Sequence, residues 1–565
     1  MENKNKSKYF EKPWLKFYPE GIPAEVEIPV RSIPQAFDEA TEKWKNKTAL
    51  IFYGAEISYS QLRDEVYRFA TALHNLGVKK GDRVALLLLN SPQFIIAYYG
   101  ALKLGAIVTS VSPVYVSSEV KHQLENSGTE TMVCQDILYD IVERTGVELH
   151  NVILTSINEY LPRFKKVMGK SILRGVYKKM EMPTTEILRK EGLYQFQELI
   201  KKYPPNPPEV EINAEDIAVL PYTTGTTGLS KGVILSHYNM LAGEYISNTF
   251  WPLEEGKEVQ LAYLPFYHIF ALALIVLGAI LRGYTTIIFT TPDPDDILSA
   301  ALKYRASVFM GAPAMYEILR DYEKTDRIGW KRYKYVVSGA DALLEDTAAG
   351  WKERTGVELY NAWGMTEISG PGICNPVGRI KRGTFGIPLP NTSAAVIDPD
   401  TNEFLPVGEI GELIYNGPQV TKGYWKNPEE SKKDLIEIDG DIWLKTGDLV
   451  TMDAEGYFTF YDRGRDRIKY KGYRISAREI EDVIALHPKV KEVGVIGIPD
   501  AKVGEQIKAV VVPHIEARGK LSEEDIINWC EKNLAHIKVP KIVEFRGEIP
   551  KTDVGKVSRR ELREE

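Results

Sequence analysis

A loop rich in glycine and threonine, set between two apolar stretches, constrains the fold of this chain more than any other feature. The loop occupies residues 222–232 (YTTGTTGLSKG), with apolar residues at 217–220 before it and at 233–235 after it. This pattern predicts a strand, a loop and a second strand. Glycines let backbone amides approach anionic oxygens, while hydroxyl groups and a lysine add donors and positive charge. The loop is therefore a candidate polyphosphate site, and a Thr/Gly-rich surface turn is the alternative.

The spacing of this loop differs from the P-loop of common NTPases, which requires Gly-x-x-x-x-Gly-Lys-Ser/Thr at the start of a helix. A Walker-type fold is therefore disfavoured. The candidate phosphate-binding residues are Thr223, Thr224, Gly225, Thr226, Thr227, Gly228 and Lys231.

Apolar strands that alternate with helix-like stretches predict an α/β architecture. Residues 84–89 and 106–111 have the composition of strands, and the stretch between them, up to residue 104, is typical of a helix. This is a βαβ unit, and similar alternation recurs around 217–240 and 284–320. The pattern favours layered α/β structure with mostly parallel sheets.

The chain has 565 residues, which is more than one hydrophobic core usually serves, so at least two domains are expected. A charge-dense stretch with a central glycine at 461–467 precedes a module of about 100 residues, an ordinary domain size. The predicted elements of this module are a helix at 477–486, strands at 493–498 and 507–512, and a helix at 523–534. The predicted domains are 1–462, a hinge at 463–465, and 466–565.

Charge and cysteine content exclude several classes of protein. The net charge is −7, without the basic excess of a dedicated nucleic-acid-binding protein. Cys134, Cys374 and Cys530 lie far apart without metal-ligand spacing, which supports neither a disulfide framework nor a zinc site. The polar first eight residues lack the apolar core of a secretion signal. A cytoplasmic location is the prediction.

Two stretches raise the question of membrane contact. Residues 261–281 contain no Asp, Glu, Lys or Arg and have the length of a membrane span, but Pro265 and Gly278 interrupt them. A buried helix after a loop is the prediction. Residues 163–179 carry seven basic residues and no acid, within a polar, helix-prone insert at 155–202. They form either a solvated surface helix or a peripheral contact with anionic lipid at the inner face of the membrane.

Four further segments accompany the phosphate loop. They are residues 360–367 (YNAWGMTE), 445–448 (KTGD), 462–474 (DRGRDRIKYKGYR) and 550–556 (PKTDVGK). Their order, content and separation resemble the adenylate-forming superfamily of acyl-CoA synthetases, luciferases and peptide-synthetase adenylation domains, over nearly the whole chain. The resemblance implies a large N-terminal domain of layered α/β subdomains with a small β-barrel-like subdomain, and a small mobile α+β C-terminal domain.

The resemblance implies an ATP- and Mg²⁺-dependent acyl-CoA synthetase. A carboxylate attacks the α-phosphorus of ATP and expels pyrophosphate, and CoA then displaces AMP from the acyl-adenylate. No covalent enzyme intermediate is required, so no nucleophilic triad is expected. Residues 14–19 and the basic insert resemble those of medium- or long-chain fatty acid–CoA ligases. A monomer or homodimer is expected.

Three alternatives share these motifs. The acyl acceptor of the enzyme could be a free carrier protein instead of CoA. The chain could be a non-catalytic nucleotide-binding or membrane-associated relative that keeps the fold, although the presence of Lys556, Glu367 and Asp448 disfavours this. As the third alternative, the enzyme could oxidise an adenylate with emission of light.

The resemblance also assigns roles to individual residues near the reacting groups. Lys556 is implied to be a mobile lysine that bridges the carboxylate and the α-phosphate, and Thr366 to contact that phosphate. Glu367 is implied to be the magnesium carboxylate, with a hydroxyl group of Thr223 or Thr224 near the same ion. His268 is implied to lie near the carboxylate of the acid, and a buried core histidine is its alternative.

A second set of residues is implied to contact the rest of the nucleotide and CoA. These residues are Trp363 and Gly364 at the adenine, Gly339, Ala340 and Asp341 at its border, Asp448 and Arg463 at the ribose, Lys469 and Gly472 at the thioester-forming site, and Arg474 at the ATP phosphates in another pose of the C-terminal domain. Arg465 occupies the hinge position, where lysine or aspartate is commoner in the family.

Overall fold

The computed structural model describes residues 8–162, 191–224, 230–251, 253–341, 343–463, 467–470, 473–500, 504–534, 536–551 and 557–564. The basic segment 163–179 lies outside the described residues. The chain forms two compact units. The larger unit contains residues 15–392 and 416–444, and the smaller unit contains residues 1–14, 393–415 and 445–565.

The first sheet of the larger unit, sheet A, is parallel at its centre and antiparallel at its ends. Its central strands are buried on both faces, which explains their continuous apolar sequences. The strand order is Ile387–Pro388, Gly370–Cys374, Tyr360–Met365, Tyr335–Ser338, Val308–Gly311, Val259–Ala262, Thr285–Ile288, Thr48–Phe52 and Ala55–Ser58.

The second sheet of the larger unit, sheet B, contains the predicted βαβ unit. Strands Arg83–Leu87 and Ile107–Ser110 are parallel neighbours, and helix Pro92–Lys103 joins them. This confirms the prediction for residues 84–111. The strand order is Leu235–Ser236, Ile217–Val219, Ile107–Ser110, Arg83–Leu87, Thr131–Gln135, Asn151–Thr155 and Leu193–Gln195.

The other two predicted repeats of this pattern differ from each other. Around 284–320 the chain forms strand, helix, strand and helix, and both strands lie parallel to Val259–Ala262, as predicted. Around 217–240 the strand Leu235–Ser236 instead runs antiparallel to Ile217–Val219. The short antiparallel strands Tyr222–Thr224 and Ser230–Gly232 lie between them in the sequence, and the described residues of this connection contain no crossover helix, which a parallel pair requires.

The α-helices described in the larger unit connect the strands of its sheets along the chain. They are Ile33–Lys43, Tyr59–Asn75, Pro92–Lys103, Ser117–Ser127, Tyr139–Thr145, Phe196–Lys202, His237–Phe250, Ile269–Ala271, Pro294–Lys303, Pro313–Asp321, Glu345–Thr355 and Pro428–Asp434. A short hairpin pairs Leu435–Ile438 with residues 441–444.

The apolar stretch 261–281 begins as a strand, passes through a loop and continues as a buried helix, as predicted. Residues Leu272–Ala279 of this helix are π-helical, a geometry that often occurs at functional sites. In the part of the chain that the structure describes, no helix has both the length and the apolar character that crossing a membrane requires.

The smaller unit contains two sheets. One is formed by Ser393–Ile397, Gly411–Asn416, the part of Asp441–Met452 after residue 444, and Phe458–Arg463. The other has the order Tyr473–Ser476, Arg467–Tyr470, Gly504–Pro513 and Val490–Asp500, and Ile542–Phe545 lies parallel to Gly504–Pro513.

The second of these sheets has apolar residues on both faces. Val495, Ile507 and Val511 belong to one core with side chains of helices Ala477–Ala485 and Glu523–Asn533. Ile496 and Val510 belong to the opposite core, which contains a residue of helix Arg559–Glu564. The predicted helices and strands of the C-terminal module are confirmed, and the strands are longer than expected because the hairpin pairing extends toward the turn. The hinge at 463–465 falls mostly on residues outside the described set, and the domain boundaries stay a prediction.

The mixed α/β class predicted from the sequence, a large N-terminal domain of sheets and helices followed by a smaller C-terminal domain, is confirmed.

Candidate functional site

Both arms of the predicted phosphate loop are strands held against helix Ser117–Ser127. Tyr222–Thr224 pairs antiparallel with Ser230–Gly232, and Thr223 lies opposite Lys231. The hydroxyl group of Tyr222 donates to Asn126 Oδ1 at 2.6 Å, and His122 Nε2 lies 2.8 Å from the carbonyl oxygen of Ser230. The strand–loop–strand prediction is confirmed at its ends. The residues Gly225, Thr226, Thr227 and Gly228 lie outside the described residues.

The ammonium group of Lys231 is buried among acidic and aromatic partners. Its Nζ lies 3.0 Å from Glu430 Oε1 and 3.2 Å from Asp434 Oδ2. It also lies 3.6 Å from the centre of the Tyr424 ring, and the side chain is only 8% exposed. The structure therefore places this predicted phosphate-binding cation beside two carboxylates.

Glu367 lies at the tight end of the hairpin between strands Tyr360–Met365 and Gly370–Cys374. A single 3₁₀ turn, Thr366–Ile368, joins the two strands, and Glu367 is only 4% exposed. The hydroxyl group of Tyr424 contacts Glu367 Oε1 at 3.1 Å. Burial and the neighbouring carboxylates raise the pKa of Tyr424 well above its ordinary value, so this hydroxyl keeps its proton and acts as a donor.

The segments predicted to border the base lie on neighbouring parallel strands. Residues 339–341 follow Tyr335–Ser338, which pairs with Tyr360–Met365, the strand that contains Trp363 and Gly364. A Cβ atom placed on Gly339 would lie 3.4 Å from the carbonyl oxygen of Ala362. Ala340 has a left-handed backbone with φ of 70°, and Asp341 is exposed. The strand order thus brings the two predicted adenine segments together.

His268 caps the helical segment that continues into the π-helix. Its Nδ1 accepts a hydrogen bond from the backbone N–H of Phe270 at 3.3 Å. The Phe270 ring lies beside Gly339, since a Cβ atom there would be 3.2 Å from Phe270 Cζ. His268 is partly exposed and lies near the predicted adenine loop, rather than in the centre of a core.

Asn90 holds the loop that leads to His268. Its Nδ2 donates to the carbonyl oxygen of Leu264 at 2.8 Å, and its Oδ1 accepts from the N–H of Phe266 at 2.8 Å. Asn90 follows strand Arg83–Leu87 of sheet B, whereas the loop follows a strand of sheet A. Asn90 therefore joins the ends of the two sheets at this loop.

In the smaller unit, the predicted ribose residues are cross-strand partners. Asp448 pairs with Arg463 in the antiparallel ladder, and Asp448 is only 6% exposed. In a separate hairpin, Lys469 lies opposite Arg474. Gly472, Arg465 and Lys556 lie outside the described residues.

Sequence reasoning missed four residues that position this site: Asn90, Tyr424, Glu430 and Asp434. The sequence did contain a signal for the acidic pair Glu430 and Asp434. Lys231 stands next to an apolar stretch, and a buried lysine requires acidic partners. Glu430 and Asp434 are four residues apart, so one helix presents both on one face. Their separation of about 200 residues from Lys231 is why local patterns did not reveal the contact.

Comparison with known proteins identifies the family. The family model described as AMP-binding enzyme matches residues 37–425, and the one described as AMP-binding enzyme C-terminal domain matches residues 479–556. The chain therefore belongs to the AMP-binding enzyme family. This confirms the resemblance to adenylate-forming enzymes.

Individual relatives match over almost the full chain. Long-chain-fatty-acid–CoA ligases of Bacillus subtilis and Escherichia coli are each 35% identical to it, over 98% of both chains. The crystal structure of ATP-bound MatB from Rhodopseudomonas palustris superimposes with a TM-score of 0.81 at 28% identity, over 94% of this chain and 99% of that one. The predicted enzyme class, an acid–thiol ligase that uses ATP and CoA, is confirmed.

Proposed function

We propose that the acid activated by this ligase is a medium- or long-chain fatty acid, which it converts first to acyl-AMP and then to acyl-CoA. The observation that carries the substrate class is the 35% identity to two long-chain-fatty-acid–CoA ligases over 98% of both chains. The helical segment 269–281 supports it, because this segment follows His268 directly and is apolar almost throughout, as an alkyl chain requires.

The first half-reaction brings a carboxylate against a triphosphate, so donors and cations must offset the repulsion of the two anions. Thr366 and the loop threonines supply hydroxyl donors in this proposal, and Lys556 supplies a charge at the α-phosphate. His268 supplies a further donor. Because its Nδ1 accepts from Phe270, the neutral ring carries its proton on Nε2, which can donate to the carboxylate of the acid.

The residues around Glu367 fit a magnesium ion bound beside phosphate. Mg²⁺ in such sites takes one or two carboxylates together with phosphate and water oxygens, rather than a cage of protein ligands. The buried Glu367 carboxylate and the Thr223 hydroxyl are donors of this kind. Among the described residues, no group of three or more His, Cys, Asp or Glu side chains forms a metal cluster. When bound, the ion would neutralise charge on the phosphates.

The nucleotide is held by its base and sugar in this proposal. The flat face of Trp363 stacks on the adenine, beside residues 339–341. Asp448 accepts hydrogen bonds from the ribose hydroxyl groups. Arg463, its partner on the neighbouring antiparallel strand, assists it. In the second half-reaction, Lys469 and Gly472 border the path of CoA. Arg474 contacts the ATP phosphates in the other pose of the C-terminal domain, that of the first half-reaction. The oligomeric state and any lipid contact of 163–179 stay predictions.

A panel of acids of graded length tests this proposal. The purified enzyme is supplied with ATP, Mg²⁺ and CoA, and AMP, pyrophosphate and acyl-CoA are measured for fatty acids from acetate to stearate, with 4-hydroxybutyrate and benzoate as outliers. We expect equal amounts of the three products and the highest kcat/KM with medium or long chains. A preference for acetate or benzoate would overturn the substrate class. AMP release without acyl-CoA would point to a carrier protein as the acceptor.

A further inference from the structure

The buried contacts of Lys231 form a network that reaches Glu367. We call Lys231, Tyr424, Glu430, Asp434 and Glu367 the Lys231 network. The Lys231 ammonium contacts both Glu430 and Asp434, and the Tyr424 hydroxyl lies within hydrogen-bond distance of both Asp434 and Glu367. The network thus joins the second arm of the phosphate loop to the proposed magnesium carboxylate.

One segment, residues 421–434, supplies the three residues in the middle of this network. Its backbone pairs with the second arm of the phosphate loop, through hydrogen bonds of 2.8 Å from Trp425 N–H to the Gly232 carbonyl and 2.9 Å from Ile234 N–H to the Gly423 carbonyl. The same segment donates from Thr421 N–H to the Glu367 carbonyl at 2.7 Å. Backbone and side-chain contacts therefore connect the same two sites.

The ammonium group of Lys231 has three N–H donors, and three partners surround it. Glu430 Oε1 and Asp434 Oδ2 accept two of them, and the face of the Tyr424 ring lies against the third side at 3.6 Å. Moving the lysine away from the two carboxylates is unfavourable, because two half-buried negative charges would then lose the cation that lies between them. These contacts favour a lysine that stays in place.

The Tyr424 hydroxyl has one proton and two carboxylate oxygens within reach. Asp434 Oδ2 lies at 2.9 Å and Glu367 Oε1 at 3.1 Å. Asp434 Oδ2 also accepts from the Lys231 ammonium at 3.2 Å, so it keeps a charged donor when the tyrosine proton is directed to Glu367. The lysine charge therefore favours donation of the tyrosine proton to Glu367, which fixes the orientation of that carboxylate.

We infer that Lys231 and Tyr424 are positioning residues, in which Lys231 holds Tyr424, and Tyr424 orients the Glu367 carboxylate toward the metal of the nucleotide. This inference rests on the proposed role of Glu367 as the magnesium carboxylate. Lys231 then acts through the network, and the direct phosphate contact that the sequence predicts for it is the competing outcome.

Equilibrium binding of ATP without acid tests the inference independently of turnover. Calorimetry measures the Kd of ATP with excess EDTA and with Mg²⁺, and the ratio gives the enhancement by Mg²⁺. We expect Tyr424→Phe to reduce this enhancement about tenfold, as loss of a hydrogen bond to a metal ligand does, and to leave Kd in EDTA within about twofold. Lys231→Met should do the same, and the double variant should lose no more than either single variant.

Two controls separate positioning from damage to the fold. Tyr322→Phe is a matched change, because the Tyr322 hydroxyl donates to Asp295 at a partly exposed position, and the Mg²⁺ enhancement should not change. Because Lys231→Met removes the lysine charge from beside two half-buried carboxylates, the triple variant Lys231→Met/Glu430→Gln/Asp434→Asn is measured beside it. The same loss of Mg²⁺ enhancement is expected in the triple variant.

The variant Glu367→Gln shows whether the positioning role of Tyr424 or the metal role of Glu367 is wrong. If it abolishes the Mg²⁺ enhancement while Tyr424→Phe keeps it, the positioning role is overturned and the metal role of Glu367 stands. If Glu367→Gln itself keeps the enhancement, the metal role and this inference both fall. Weaker ATP binding in EDTA for Lys231→Met, additive with Tyr424→Phe, overturns the inference in favour of direct phosphate contact.

Discussion

The carbonyl oxygen of Gly370 lies 2.2 Å from the position that a Cβ atom on Gly364 would take. Gly364 is paired with Pro371 and Gly370 with Met365, so the two glycines lie diagonally across the hairpin whose turn contains Thr366 and Glu367. Any side chain at 364 would displace the opposite backbone. Only glycine permits this approach. The positions of Thr366 and Glu367 therefore depend on the absence of a side chain at residue 364.

Gly364→Ala should separate the two strands of this hairpin. We expect a loss of about 1–3 kcal/mol in stability from the steric conflict, and at least a tenfold loss of acyl-AMP formation because Thr366 and Glu367 move. Thermal unfolding and AMP release measure the two effects. Gly329→Ala is the matched control, because nothing lies within 4 Å of a Cβ atom there. Equal activity of the two variants would contradict the role given to the hairpin.

Asn90→Asp should loosen the loop that leads to His268. An aspartate of the same shape cannot donate to the Leu264 carbonyl, and it places a charge at a position that is 6% exposed. We expect a loss of about 1–3 kcal/mol in stability and a higher KM for the acid. Asn533→Asp, an exposed position where the amide donates to Trp529, should change stability by less than about 0.5 kcal/mol. An unchanged KM for the acid in Asn90→Asp would contradict the role of Asn90 in holding the loop that leads to His268.

His237 should make the stability of the protein sensitive to acid. Burial lowers the pKa of His237 to about 4, from 6.5 for the exposed side chain, and its Nδ1 accepts from the N–H of Ile33. The unfolded chain therefore binds a proton that the folded chain rejects between pH 6.5 and 4. Stability is complete above pH 6.5 and falls by about 3 kcal/mol on reaching pH 4.

Thermal unfolding between pH 7 and pH 4.5 tests this linkage. His237→Gln should have a Tm that falls less steeply with acid than the Tm of the wild type, whatever its value at pH 7. His150→Gln, at an exposed histidine, should keep the wild-type slope. Parallel slopes for the wild type and His237→Gln would show that His237 is not the group responsible.

Lys556→Ala should separate the two half-reactions. The resemblance places this lysine at the α-phosphate during adenylate formation, and it implies that the C-terminal domain adopts another pose for thioester formation. We expect acyl-AMP formation from ATP to fall at least a hundredfold, the range for loss of one transition-state donor, while supplied acyl-AMP and CoA still give acyl-CoA. Lys551→Ala, five residues earlier, is the control. Equal loss of both steps would exclude the assigned role.

Local sequence patterns predicted the elements whose contacts are also local. The βαβ unit at 84–111 and the C-terminal module followed from apolar periodicity, because helix and strand periods are set within a few residues. The π-helix Leu272–Ala279 was not predicted, since an almost entirely apolar stretch has no period to distinguish helix types. The antiparallel return at 235–236 was missed because the pairing partner of a strand is not part of its own pattern.

In the candidate site, too, residues within known motifs were predicted, whereas residues that act through distant contacts were not. Resemblance to a family named Glu367 and Trp363, and parallel strand pairing then placed Trp363 beside residues 339–341. It did not name Tyr424, Asp434 or Asn90, because these side chains act through contacts with residues far away in sequence. Positioning residues of this kind become visible only when the fold has brought their partners together.

Acid-dependent exchange of labelled pyrophosphate into ATP, without CoA, measures whether this enzyme forms acyl-AMP. The exchange requires reversible formation of acyl-AMP and no later step. We predict exchange that requires Mg²⁺ and a medium- or long-chain fatty acid, that is absent without acid, and that is lost in Glu367→Gln. Exchange that proceeds without any acid, or no exchange with any acid of the panel by enzyme that binds ATP, would contradict the account.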